Sequence, residues 1–188
     1  MKFRWVGALL LSVAAYYVYL PLPSGVSEPW KLMLHVAHSL GACHRVHLLN
    51  RAISWVEVTD ARSSPTVHVT DSTLGGVPTR VFQPIGGEGL KRGVIYFHGG
   101  GWALCSGMRS YDLLCRKMAE DLDAVIMSVD YRLAPEAVFP DQYHDAVAAS
   151  RAFLSAEVLQ RYGIDPERVC ASGDSAGGNL AAAVVQEV

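Results

Sequence analysis

A serine with a glycine two positions away on either side is the clearest candidate nucleophile of the chain. The stretch reads Gly173-Asp174-Ser175-Ala176-Gly177 and lies between an apolar run and an alanine-rich segment. A nucleophilic serine must project from a tight, strained turn, and flanking glycines avoid clashes with the neighbouring strand and helix. A helix that begins at Ala176 would direct its N–H groups and the positive end of its dipole at the serine. The pattern predicts acyl transfer through a covalent intermediate.

A second motif could stabilise the transition state of such a reaction. Gly99, Gly100 and Gly101 follow His98, directly after a short apolar run. Acyl transfer builds negative charge on the carbonyl oxygen, and glycines let backbone N–H donors approach that oxygen closely. We expect an oxyanion hole made by the N–H groups of Gly99, Gly100 and Ala176. Because His98 lies at the corner between strand and loop, we expect it to have a structural hydrogen-bonding role.

The sequence does not supply a general base in the expected place. No histidine follows Ser175, and the only acid after it is Glu187. Without a base, the serine hydroxyl is a poor nucleophile. His144 falls in a predicted helix, and we interpret it as a surface or interhelical residue. The four histidines within residues 35–47 lack the compact spacing of metal ligands, so the sequence predicts no metal site and no cofactor.

The elements that would position these motifs follow an α/β pattern. Three short apolar runs predict strands buried on both faces, over residues 94–97, 124–129 and 168–172. Helices are predicted over 110–122, over 141–162 and from Ala176 onward. Two alternating segments before them, 66–70 and 79–83, predict a hairpin. The order predicts a mostly parallel sheet with flanking helices.

The N-terminal segment is typical of a membrane anchor. No charge interrupts the stretch from Trp5 to Ser27, and Pro21 ends any helix there. Residues 3–20 would span about 27 Å, which fits the thin endoplasmic reticulum membrane. Lys2 and Arg4 precede this stretch, so the positive-inside rule keeps the N-terminus cytosolic and sends the rest to the lumen. A cleaved signal peptide is the alternative interpretation.

Three regions follow from this pattern. Residues 1–23 form the predicted anchor, which would contact membrane lipid, and residues 64–188 form the α/β region. Between them, residues 24–63 contain one or two predicted amphipathic helices over 28–57, with Gly41 as the candidate break. This helical segment could lie on the lipid, cover a site or pack on the core.

Composition restricts the function classes further. The chain has 188 residues, of which 51% are apolar and 18% charged, and its formal net charge is -2. This composition excludes wholesale disorder. It also argues against nucleic acid as the main partner, which usually requires a basic surface. The sequence identifies no protein partner.

The motifs together resemble the hormone-sensitive lipase branch of the α/β-hydrolases, and within it the arylacetamide deacetylase family. The resemblance rests on five stretches of the sequence: residues 16–23, 98–104, 131–136, 139–140 and 173–179. It implies an α/β-hydrolase fold and a membrane-anchored serine esterase that faces the lumen and acts on small apolar esters or amides. It also implies that residues 131–136 form a structural turn. Since the family orders its triad as Ser, then Asp or Glu, then His, we interpret the chain as C-terminally truncated.

Two hypotheses of different classes follow. The first is a serine ester hydrolase with Ser175 as the nucleophile. The second is a non-catalytic protein that binds an apolar ligand or a full-length relative, because the triad acid and histidine are missing from this chain. The substrate is open among cholesterol esters, ether-lipid acetates and arylacetamides.

Overall fold

The computed structural model describes Val46, Asn50 and residues 63–188. The described strands are β1 (Val67–Leu74), β2 (Val77–Pro84), β3 (Lys91–Phe97), β4 (Ala124–Val129) and β5 (Ile164–Gly173). The helices are α1 (Asp112–Leu122), α2 (Asp141–Phe153), α3 (Ala156–Tyr162) and α4 (Ala176–Val184). Every strand predicted after residue 63 is present, and helices occupy each stretch predicted as helical there.

The predicted membrane anchor over 3–20 lies outside the described residues. Of the helix predicted over 28–57, only Val46 and Asn50 are described, and both are helical. Among the helices that the structure describes, none is both long and apolar enough to cross a bilayer.

The five strands form one sheet in the order β1-β2-β4-β3-β5. β1 and β2 form the predicted hairpin, and β2 is also antiparallel to β4. β3 is parallel to β4 on one side and to β5 on the other. The described sheet is therefore mixed and not mostly parallel, because the hairpin joins its edge. Phe97 at the end of β3 pairs with Gly173 at the end of β5, so the two predicted motifs emerge side by side.

The apolar core covers both faces of the central strands. Val94 and Tyr96 of β3 pack on the α1 side, together with Cys115 and Ala119 of that helix. The alternate residues of β3 pack in a larger cluster with α2, α3 and α4. All six residues of β4 are buried. The continuous apolar runs at β3 and β4 are explained by this burial on both faces.

The predicted burial of the third apolar run is wrong. β5 is ten residues long, and Ile164 is its only buried residue. Cys170, which the sequence places in a buried strand, is exposed. Among the described strands β5 pairs only with β3, so it forms an edge, and its side chains are covered incompletely.

The single helix predicted over 141–162 is two helices. α2 ends at Phe153, and Ser155 caps the start of α3 by accepting a hydrogen bond from the N–H of Val158. Serine at this position favours a new helix start, because its hydroxyl satisfies one of the free N–H groups.

Candidate active site

Ser175 occupies a strained turn between β5 and α4. Its φ of 50° and ψ of -117° lie in a region that residues with a side chain rarely adopt. Such a conformation costs about 1–3 kcal/mol and persists only where the surrounding structure enforces it. The side chain is exposed at the N-terminus of α4, so its hydroxyl is accessible.

Crowding around the turn explains the two flanking glycines. A Cβ on Gly177 would lie 2.0 Å from the carbonyl oxygen of Phe97. A Cβ on Gly173 would lie 2.5 Å from the carbonyl group of Gly177 and 2.6 Å from that same oxygen of Phe97. Both contacts are with backbone, which a small side-chain adjustment cannot relieve. The clash with strand and helix inferred from the spacing is therefore present at both positions.

The glycine loop leaves the sheet at the end of β3 and turns sharply. Gly100 has a φ of 116°, and a Cβ there would lie 2.2 Å from the carbonyl oxygen of Leu104. The carbonyl of Gly100 accepts hydrogen bonds from the N–H groups of Ala103 and Leu104, at 3.2 and 2.9 Å. Gly101 also has a positive φ, of 62°, but open space surrounds its missing side chain. Only glycine adopts such conformations at little cost.

Asp174 joins the serine turn to the glycine loop. Its Oδ1 accepts hydrogen bonds from the Tyr96 hydroxyl and the Gly99 N–H, both at 3.0 Å. Its Oδ2 accepts one from the Tyr111 hydroxyl at 2.9 Å. Burial and the neighbouring Asp174 carboxylate raise the pKa of Tyr111 to about 12, so this tyrosine stays a neutral donor. The motif around Ser175 includes Asp174, whereas no sequence pattern pointed to Tyr96 or Tyr111.

These contacts involve one of the three N–H groups that the sequence predicts as oxyanion donors, that of Gly99. The N–H of Gly99 is engaged by Asp174 and also lies 3.2 Å from the Tyr111 hydroxyl. The N–H groups of Gly100, Gly101 and Ala176 donate to no residue that the structure describes. The N–H of Gly99, expected as an oxyanion donor, is therefore hydrogen-bonded within this structure, whereas the N–H groups of Gly100 and Gly101 have no acceptor among the described residues.

His98 is fully buried beneath the loop. Its Nδ1 lies 2.7 Å from the carbonyl oxygen of Gly99, and its ring stacks on Tyr131 with 4.3 Å between ring centroids. Desolvation lowers its pKa, so the imidazole is neutral at neutral pH and donates from Nδ1. No hydrogen bond connects it with Ser175 within the described part of the chain. This geometry supports a structural role and not that of a base.

Residues distant in the sequence form hydrogen bonds with residues 102–105, which follow the three glycines of the loop. The amide of Asn50 donates from Nδ2 to the carbonyl of Ala103 at 2.8 Å, and its Oδ1 accepts the N–H of Cys105 at 3.1 Å. The carbonyl of Trp102 accepts the N–H of Ala134 at 2.7 Å. No sequence pattern pointed to Asn50, because pairing over more than 50 positions leaves no local signal.

Other sequence candidates lie away from the reaction centre. His144 is exposed on α2, and its described ring neighbour is Tyr143. Tyr131 is buried and donates its hydroxyl to the carbonyl of His98, and Arg132 pairs with Asp145. Residues 131–136 therefore brace the loop, as a structural turn would. Among the residues that the structure describes, no three His, Cys, Asp or Glu side chains are grouped as metal ligands.

Solved structures share this arrangement of elements. A Pyrobaculum calidifontis esterase superimposes with a TM-score of 0.65 at 36% sequence identity, over 75% of this chain and 47% of that chain. A bacterial heroin esterase superimposes with a TM-score of 0.64 at 29% identity, over 78% of this chain and 46% of that chain.

Curated relatives align with nearly the whole length of this chain. Neutral cholesterol ester hydrolase 1 of Mus musculus is 53% identical over 195 residues, which cover 96% of this chain and 48% of the relative. Arylacetamide deacetylase of Oryctolagus cuniculus is 45% identical over 190 residues, covering 94% of this chain and 48% of the relative. The chain thus spans about half the length of the curated relatives it matches. A family profile described as alpha/beta hydrolase fold matches residues 94–188. The resemblance inferred from the motifs is confirmed: this chain belongs to the α/β-hydrolase family.

Proposed function

We propose that the protein containing this chain is a serine hydrolase of carboxylic esters, with Ser175 as the nucleophile. One observation carries the proposal: a strained serine turn lies beside a glycine loop, and three backbone N–H groups there have no acceptor among the described residues. They belong to Gly100, Gly101 and Ala176. Two relatives are named as a cholesterol ester hydrolase and an arylacetamide deacetylase, which supports an apolar ester or amide as substrate.

In the proposed mechanism, the Oγ of Ser175 attacks the carbonyl carbon of the ester. The carbonyl oxygen becomes an oxyanion that the three N–H groups stabilise, with help from the N-terminus of α4. Expulsion of the alcohol leaves an acyl-enzyme, and attack by water on that ester releases the acid and regenerates the serine. The reaction needs no cofactor.

The proton of Ser175 must pass to a base and then to the leaving alcohol. No histidine follows Ser175 in this sequence. We propose that a histidine and its orienting carboxylate come from residues of the protein that this sequence does not contain, in the family order. Triad members contribute several orders of magnitude to the rate, so the 188-residue chain alone is expected to hydrolyse esters poorly.

Replacing the nucleophile tests the proposal. In the longest native protein that contains this chain, Ser175→Ala should lower kcat on p-nitrophenyl esters by about four orders of magnitude or more. It should also abolish labelling by a fluorophosphonate probe, with the labelled peptide identified by mass spectrometry. Ser172→Ala, a change three residues earlier in β5, is the matched control and should retain activity. Full hydrolysis by Ser175→Ala would leave the non-catalytic ligand-binding hypothesis as the better one.

We further propose that residues 1–23 anchor the protein in the endoplasmic reticulum membrane, with the hydrolase region in the lumen. The uncharged stretch after Lys2 and Arg4 supports this topology. The protein should then remain in the membrane pellet after alkaline carbonate extraction, and its hydrolase region should resist protease in intact microsomes. Release by carbonate, or digestion without detergent, would contradict the proposal.

A further inference from the structure

A buried arginine lies at the centre of a network of charges between β2 and α1. Arg80 belongs to β2 and is 6% exposed. Its Nε and Nη2 donate to the two carboxylate oxygens of Asp71, at 2.6 and 2.9 Å. Its Nη1 donates to Oδ1 of Asp112 at 3.2 Å and to the carbonyl of Met108. One guanidinium therefore joins β2 to three other parts of the chain: β1, the start of α1 and the loop before that helix.

The carboxylate of Asp112 is the more deeply buried of the two acidic partners. Its side chain is 3% exposed, whereas that of Asp71 is 53% exposed. Besides Arg80, it contacts Arg116 one turn further along α1, whose Nη2 donates to Oδ2 at 3.0 Å. Each carboxylate oxygen of Asp112 thus accepts from a different arginine. Two charge-assisted hydrogen bonds from different directions fix both the position and the orientation of this group.

Stability alone does not account for this buried network. Removing charged groups from water is costly, and apolar side chains of similar volume often stabilise such a site at least as well. Apolar packing is also available here, because Phe82, two residues after Arg80, packs with Cys115 and Ala119 of α1. What the charged groups add is a set of directional contacts, which fix the start of α1 relative to β2.

The residue that precedes Asp112 reaches the reaction centre. The Tyr111 hydroxyl donates to Oδ2 of Asp174 at 2.9 Å and lies 3.2 Å from the N–H of Gly99. Its ring packs against that of His98, with 5.8 Å between the ring centroids. Because Tyr111 and Asp112 are neighbours in the chain, an arginine that holds the carboxylate also limits where the tyrosine ring can lie.

We propose that Arg80 is a positioning residue for the hydrolysis, which acts through Asp112 and Tyr111 on the glycine loop and the serine turn. The inference rests on the proposed function, since it concerns the rate of the same reaction. Within the described part of the chain, the hydrogen bonds of the Arg80 side chain reach neither the glycine loop nor Ser175. Its loss should therefore lower kcat and leave KM nearly unchanged, because the groups that would bind the substrate stay in place.

Removing the guanidinium tests the assignment. In the longest native protein that contains this chain, Arg80→Met should lower kcat on p-nitrophenyl acetate by about tenfold, with KM within twofold of the wild-type value. Lys91→Met is the matched control, since Lys91 is also buried and its Nζ lies 2.6 Å from Oδ1 of Asp123. Lys91 begins β3, at the end of the strand opposite to the glycine loop. This control should lower the thermal unfolding temperature as Arg80→Met does, but keep kcat within twofold of the wild-type value.

A conservative variant keeps the charge and removes the planar fork. Arg80→Lys retains one ammonium group, which cannot donate to both oxygens of Asp71 and at the same time reach Asp112 and the carbonyl of Met108. We expect its kcat to lie between those of Arg80→Met and the wild type. A wild-type kcat in Arg80→Met, or equal losses in Arg80→Met and Lys91→Met, would overturn the proposal. Should Arg80→Met not fold, Arg80→Lys replaces it in the comparison, and a wild-type kcat would then overturn the proposal.

A double-mutant cycle tests the route through Tyr111. Tyr111→Ala removes both the ring and the hydroxyl that Arg80 is proposed to position. In that background, Arg80→Met should lower kcat by less than a further twofold, because effects that share one route are not additive. The same tenfold loss in both backgrounds would show that Arg80 does not act through Tyr111, and would overturn the proposal.

Hydrogen exchange distinguishes this proposal from the proposed function. The N–H of Gly99 lies 3.2 Å from the Tyr111 hydroxyl, so its exchange reports on the link without any turnover. In a Ser175→Ala background, mass spectrometry of the peptide that contains Gly99 should show about tenfold faster exchange at this N–H with Arg80→Met than with Lys91→Met. This result without ester hydrolysis by the wild-type protein would support the link from Arg80 to the glycine loop and reject only the proposed function. Equal exchange in the two variants would overturn the positioning role and leave the proposed function standing.

Discussion

The turn at Ser175 is crowded by backbone at both flanking glycines, whereas the glycine loop is crowded by backbone at Gly100, open at Gly101 and tied by hydrogen bonds from distant residues. At the turn, a Cβ on either flanking glycine would lie within 2.6 Å of backbone atoms. At Gly101 nothing lies within 4 Å of the corresponding position, and the loop depends on Asp174 and Asn50 instead. The flanking glycines of the turn tolerate no added atoms, whereas the loop should also shift gradually as its hydrogen bonds to distant residues are removed.

The largest effect is expected from adding one carbon at the crowded turn. Gly177→Ala would place a Cβ 2.0 Å from the carbonyl oxygen of Phe97, so β3 and α4 must separate. We expect the free energy of unfolding to fall by about 3 kcal/mol or more, because overpacking against backbone cannot be relieved by a rotamer change. Urea unfolding monitored by circular dichroism measures this directly.

Gly178→Ala is the matched control for this prediction. Its Cβ would lie 3.2 Å from the carbonyl oxygen of Gly173, which requires a shift of only a few tenths of an ångström. The gain from replacing a helical glycine, about 0.5–1 kcal/mol, offsets part of this cost. Equal stability losses in the two variants would mean that crowding at Gly177 does not fix the turn.

A smaller effect, on rate more than on stability, is expected from Asp174. Asp174→Ala removes the acceptor of three hydrogen bonds and frees the N–H of Gly99. The loop should then move relative to Ser175, and a misplacement of about 1 Å lowers kcat by roughly a hundredfold. Since Asp174 is itself exposed, we expect the thermal unfolding temperature to change little. Steady-state kinetics of the whole protein separate kcat from KM.

Asp174→Asn distinguishes hydrogen bonding from charge. Its remaining oxygen can still accept from Tyr96 and Gly99, and the Tyr111 hydroxyl can rotate to accept from the new amide. We expect kcat to recover to within about tenfold of the wild-type value. Tyr111→Phe leaves two donors on the carboxylate and should have the smallest effect of the three. A kcat of Asp174→Ala equal to that of the wild type would show that the loop does not need this link.

The contrast between turn and loop also explains what the sequence could predict. The serine turn, with its two glycines, follows from sterics among neighbours in the chain, and it is found where the motif predicts it. The hydrogen bond from the N–H of Gly99 to Asp174 could not be predicted from local sequence, because the two residues are 75 positions apart. The Tyr111 hydroxyl, which contacts both of them, belongs to a third part of the chain. The exposure of β5 was not predicted for a related reason: within the described sheet β5 pairs only with β3, and its local sequence does not show that pairing.

The smallest effect on kcat is expected from Asn50, which contacts the glycine loop at Ala103 and Cys105. Asn50→Ala removes the hydrogen bonds to the carbonyl of Ala103 and the N–H of Cys105. Each contributes about 1 kcal/mol, and the loop keeps its link to Asp174, so we expect kcat to fall by about fivefold. Hydrogen exchange followed by mass spectrometry should show faster exchange in the peptide that contains Cys105.

Two further variants sharpen this last comparison. Asn50→Asp preserves the acceptor for Cys105 but turns a carboxylate oxygen toward the carbonyl of Ala103, so it should restore no activity relative to Asn50→Ala. Gln186→Ala removes an amide that, among the described residues, donates to the carbonyl of Ala182 one turn earlier, and it serves as the control that leaves exchange near Cys105 unchanged. If Asn50→Ala leaves both kcat and hydrogen exchange at Cys105 unchanged, the hydrogen bonds of Asn50 are not needed to hold the loop. Asp174 and the turn at Gly100 would then be sufficient.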